Sequence, residues 1–79
     1  MLTPPGWKLI DMGGGSTSLY LPIPDSMMEW GITQVGAPIA PTSSDEPCVL
    51  TLWQMHDALI QWDCSCLAEA TQIAEGART

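Results

Sequence analysis

The stretch Thr51-Leu52-Trp53-Gln54-Met55-His56-Asp57-Ala58-Leu59-Ile60-Gln61-Trp62-Asp63-Cys64-Ser65-Cys66-Leu67-Ala68-Glu69-Ala70-Thr71-Gln72-Ile73-Ala74-Glu75-Gly76 decides the fold reading. Wound as one helix, it sets Leu52, Leu59, Cys66 and Ile73 on a line at seven-residue spacing. Trp53, Ile60, Leu67 and Ala74 form a second line, and Met55 and Trp62 flank them. Gln54, Asp57, Gln61, Ser65 and Gln72 make the polar strip. The apolar face then covers about half the circumference, beyond the roughly 100° stripe of an ordinary surface helix. Thr51 to Gln54 matches a capping box, with Leu50 placed to staple onto Met55. Gly76 suits the position just past the helix end. Such a helix is about 36 Å long, too long for a small domain to cover. One half of its apolar face would lie on a sheet, and the other half would need a partner or a second copy.

Upstream, Trp7 to Met12 and Ser18 to Ile23 read as strands joined by the glycine run Gly13-Gly14-Gly15, an N-terminal hairpin with a long loop. Pro22 cannot donate to a ladder, so it belongs at an edge or with its nitrogen facing outward. Ser26-Met27-Met28-Glu29 matches a capping box for at most a turn of helix. Ile32 to Val35 and Cys48 to Leu50 read as short strands. Residues 36–47 hold Pro38, Pro41, Pro47 and two serines, and read as a loop. The expected fold is therefore α+β: a small antiparallel sheet of three or four short strands packed on one long C-terminal helix. Residues 1–79 form a single small domain, with a hairpin-containing β region at 1–35, the loop at 36–47, and a short strand plus long helix at 48–76.

Composition narrows the function classes. The hydrophobic share is 46% and the charged share 14%, against a usual charged share of about 25%. A surface so poor in charge leaves apolar area for a partner. Nine carboxylates against two basic residues, Lys8 and Arg78, give a net charge of -7. That argues against direct binding of nucleic acid or an anionic membrane, and favours a basic protein surface as partner. No basic-then-apolar leader opens Met1-Leu2-Thr3-Pro4-Pro5. An odd count of three cysteines fits reduced thiols in a cytoplasm, although Cys48 has the option of pairing with Cys64 or Cys66.

No motif for catalysis, cofactor or metal stands out. His56 and Asp63 share the apolar helix face about 10 Å apart, too far for a dyad, and read as interface contacts or satisfied core polar groups. Cys64 and Cys66 lack the paired spacing of a metal site. Gly13 to Thr17 lacks the lysine of a phosphate loop. Trp53 is the tryptophan expected to face a partner. Asp45, Glu46 and Asp57, near the helix start, are the expected charged contacts. A small, acidic, motif-free chain is similar in general type to phage or mobile-element proteins that block a host machine, anti-CRISPR proteins among them. That similarity implies a non-enzymatic inhibitor acting in the host cytoplasm. It would place an acidic surface on a basic, nucleic-acid-binding site of a host protein. The alternatives are an assembly subunit or obligate homodimer with the apolar helix face as seam, and a thiol-dependent enzyme.

Overall fold

The computed structural model describes residues 3–77. Arg78, counted in the charge balance, and Met1 and Leu2 of the leader reading lie outside the described residues. Five strands run in chain order: β1 (Lys8–Gly13), β2 (Ser16–Pro22), β3 (Met28–Gln34), β4 (Cys48–Gln54) and β5 (Asp57–Cys64). One helix, α1 (Leu67–Ala77), follows. The strands form a single antiparallel sheet in the order β1-β2-β3-β4-β5, each paired to its neighbour in sequence. The α+β class stands, with a fuller sheet and a much shorter helix than the sequence suggested.

The long helix from Thr51 is not formed. Thr51 is buried in the middle of β4, opposite Gly31 on β3 and Gln61 on β5, and caps nothing. Cys48, Leu50 and Leu52 alternate with Val49, Thr51 and Trp53, and Ile60, Trp62 and Cys64 alternate with Gln61 and Asp63. That is the two-residue period of strands. A pattern apolar on both faces of a strand, wrapped on a helical wheel, becomes a stripe far too wide for a helix. The excess width was a signature of strands rather than of a missing partner.

Register divides the side chains into rows. On one face, Leu9, Leu19, Ile32, Leu50 and Trp62 line up across all five strands. Leu21, Trp30, Leu52 and Ile60 form the next row. α1 packs over this face with Leu67, Ala70 and Ala74 buried and Ile73 half-buried. Alanine at two of the three contact positions lets the helix backbone lie close to the sheet. Trp30 is the largest side chain to be fully buried, with its ring 5.6 Å from that of Trp62. The helix is tied at its start: the Leu67 amide donates to Ser44 O (3.2 Å), and the Ser65 amide donates to Glu69 Oε1 (2.9 Å). Glu69 in the first turn also suits the positive end of the helix dipole.

Other local expectations shift too. The first hairpin closes through two residues, not a long loop: Gly13 pairs with Ser16, and Gly14 and Gly15 both have positive φ, as a type I′ turn demands. Pro22 is the last residue of β2, past the end of its pairing with β1, where a missing amide breaks no ladder bond. Ser26 starts no helix. Its hydroxyl donates to Ile23 O and accepts from the Met28 amide, turning the chain into β3, and Glu29 is a strand residue. The 36–47 loop is held by bonds from the Thr17 amide to Pro38 O and from the Ala40 amide to Thr17 Oγ1.

The β4–β5 hairpin turns on Met55 and His56, with Met55 at φ 57°. A residue with a Cβ in that region costs about 1–2 kcal/mol, and the Met55 side chain is more than half exposed. Met55→Gly is therefore expected to raise stability by up to about 1 kcal/mol, after the larger backbone entropy of glycine is counted. The check is a higher urea midpoint with an unchanged slope.

Candidate interaction site

The second face of the sheet carries no helix. Its rows, set by the same register, are Lys8, Tyr20, Gly31, Thr51 and Gln61, then Glu29, Trp53 and Ala58. Between them lies a cleft of about 260 Å³ bounded by Ile10, Met12, Ser18 and Tyr20 on one side and by Glu29, Trp53, Met55 and His56 on the other, with Gly31 in its floor. Glu29 and Trp53 face each other directly across β3 and β4, a separation of about 5 Å between Cβ atoms.

Glycine at position 31 gives the tryptophan above it room to come close. A Cβ there would sit 3.1 Å from Trp53 Nε1 and 3.3 Å from Ser18 Oγ, so the indole rests directly on bare backbone. Ser18 Oγ lies 2.9 Å from Leu19 O and 3.2 Å from Ile32 O, sharing its proton between two carbonyls. The Tyr20 hydroxyl lies next to the Glu29 carboxylate, which favours its protonated form. This contact, with some burial and the nearby negative charge, raises the tyrosine above its ordinary pKa.

The residues expected to face a partner are scattered. Trp53 and His56 line the cleft. Asp63 stands on the same open face one row away, opposite Val49. Asp57 pairs with Gln54 at the hairpin end, on the side of the sheet that the helix covers. Asp45 and Glu46 sit in the loop before β4, away from the cleft. His56 and Asp63 share no helix face, since both belong to the β4–β5 hairpin. Tyr20, Glu29 and Gly31 were not singled out. Alternation places each on a face of its own strand, but only register brings the three strands together.

Glu46 has a local task. Its carboxylate accepts from the amides of Thr42 and Ser43 and from the Thr42 hydroxyl. These donors stabilise the charged form and lower its pKa, led by Ser43. A lowered folded-state value means that the bonds contribute fully above the ordinary glutamate range, near about 4.3. They are lost as pH falls through the lowered value. The amide signals of Thr42 and Ser43 are expected to shift together only below the ordinary glutamate range, and Glu46→Gln to abolish that transition in a nuclear magnetic resonance titration.

Cys48 and Cys64 face each other across β4 and β5, both buried, and Cys66 is half-buried; all three are free thiols. Burial pushes the Cys48 thiol up to about 11 and raises Cys64 as well, so both are held protonated near neutral pH. Among the described residues, no group of three or more His, Cys, Asp or Glu side chains is placed to hold a metal ion. None of the described helices is long and apolar enough to cross a membrane. Comparisons with protein-family models, curated proteins and solved structures return no match, so the site is read from its own geometry.

Proposed function

We propose that this chain is a non-enzymatic protein-interaction module that docks the open face of its sheet on a basic protein surface. The observation that carries this reading is the uncovered cleft, where exposed Met12 and Met55 and half-buried Tyr20 and Trp53 surround a carboxylate. A small sheet protected by a helix on one face and left bare, aromatic and thioether-rich on the other has the composition of an interface core. The net charge of -7 supports a basic partner. Within this proposal, the partner is a host protein's nucleic-acid-binding site and the module its inhibitor, of the anti-CRISPR type, acting in a cytoplasm; three free thiols accord with that compartment.

The assembly-subunit reading has one feature in its favour. β5 is an edge strand with Leu59 and Ile60 about half exposed, and open edges invite pairing with another chain. The helix offers no seam, because its apolar residues are turned onto the sheet.

The experiment pairs the isotope-labelled protein with nucleic-acid-binding proteins retained on heparin. Complexes should form at low salt, weaken between about 0.1 and 1 M salt as screening shortens from about 10 to 3 Å, and perturb amides of Tyr20, Gly31 and Trp53. Binding that ignores salt, or that maps to α1, would overturn the reading.

A further inference from the structure

We propose that the cleft on the open face is a receptacle for one arginine side chain of a protein partner, stacked on Trp53 and bonded to Glu29. This rests on the interaction-module reading and names the group that the module takes.

Size is the first argument. At about 260 Å³, the cleft falls below the roughly 300–1,000 Å³ of sites that enclose a small-molecule ligand. It suits the end of one long side chain inserted from a surface. Charge is the second. Among the described residues, Glu29 has no cationic partner within ion-pair distance. It is nonetheless the carboxylate that lines the cleft, and it faces a tryptophan across the strand pair. Lys8 shares the open face but sits two strands from Glu29, about 10 Å away by strand spacing. Tyr20 stands between them.

Chemistry selects the cation. Two aromatic rings and one carboxylate do not enclose a quaternary ammonium on every side. They suit a planar group that lies on an indole face while its N–H groups fork to an acceptor, which is guanidinium behaviour. The Tyr20 hydroxyl neighbours the Glu29 carboxylate, so a polar group borders the acceptor within the cleft. A charge-assisted bond from guanidinium to this carboxylate is stronger than a neutral one. Gly31 sets the depth: without a Cβ there, the Nε1 edge of Trp53 can approach the strand backbone closely.

The probes are blocked pentapeptides, glycine at four positions and arginine, citrulline or lysine at the centre, titrated into the intact protein. Amide shifts and tryptophan fluorescence provide the readout. The arginine peptide should bind weakly and perturb Gly31, Glu29 and Trp53. Citrulline, the same shape without charge, should bind at least about tenfold more weakly, and lysine should fall between. Glu29→Gln should lose about tenfold for arginine and little for citrulline. Lys8→Ala should bind arginine as well as the parent or better.

Gly31→Ala keeps the strand geometry, since its φ is not positive, but lifts Trp53 by a few tenths of an ångström. It should weaken arginine binding with an unchanged fold by far-ultraviolet circular dichroism. Equal affinity for arginine and citrulline would overturn the proposal. So would perturbation centred on residues 42–46, or concentration-dependent self-association in which a second copy fills the cleft. If heparin-retained proteins still bind the open face while the peptides do not discriminate, the arginine site fails and the module reading survives. If neither binds, both fail.

Discussion

Trp30→Ala is expected to remove about 3–5 kcal/mol of stability, the usual cost of emptying a large aromatic from a core. At about 0.05–0.15 kcal/mol per residue, a chain of this length holds about 4–12 kcal/mol in all. The variant should therefore populate unfolded chain at room temperature and show a shallow, early urea transition. The cost is high because Trp30 is 2% exposed, lies between Leu21 and Leu52 in its row, and packs on Trp62. Trp30→Phe should behave differently. Among the described residues, the Trp30 Nε1 atom is buried without a hydrogen-bond partner, and a buried donor left unmet costs about 1–3 kcal/mol. Phenylalanine gives up some area but removes that donor, so its midpoint should stay much closer to the parent than to the alanine variant. If the two substitutions cost the same, the packing account of Trp30 is wrong.

The second large effect is expected from a stop codon after Cys66. α1 packs on β4 and β5, where Cys48 and Leu50 are each 0% exposed in the intact chain. Removing it uncovers the apolar residues of β4 and β5, and Leu67, Ala70 and Ala74 are lost from the core cluster, while the opposite face is already open. With only Trp7 and Ala40 left from outside the strands to close the core, the shortened chain should lose its cooperative transition, bind a hydrophobic dye and aggregate. Retention of a sharp two-state unfolding transition would show that the sheet stands without its helix.

The class of fold, the N-terminal hairpin, the glycine turn and the 36–47 loop are legible in the residues themselves. Their signals are local: alternation in Leu19, Leu21 and Ile23, three glycines in a row, and prolines at close intervals. The β4–β5 hairpin was not legible for an equally local reason. Its turn is Met55-His56, with no glycine, asparagine or proline to mark it, and Met55 adopts positive φ against its preference. Without that punctuation, Thr51 to Cys64 ran on into α1 as one helix. The bulge that leaves Leu59 between the pairs Leu52–Ile60 and Trp53–Ala58 also shifts the alternation by one, hiding the two-residue period in β5. Of the cleft, Trp53 and His56 could be named in advance because their types favour interfaces. Glu29 was read as a helix-cap residue, and Gly31 gains meaning only once Trp53 lies across it.

The strand order β1-β2-β3-β4-β5 has a kinetic consequence. Each strand pairs with the one just before it in the chain, so no early segment waits for a late one to complete its ladder. Loops that close over short distances cost little entropy, and sheets built this way fold faster than those with crossed or distant pairings. During synthesis each new strand can zip onto the last as it emerges. The helix, made at the end and tethered to Ser44, is then the step that shuts the core.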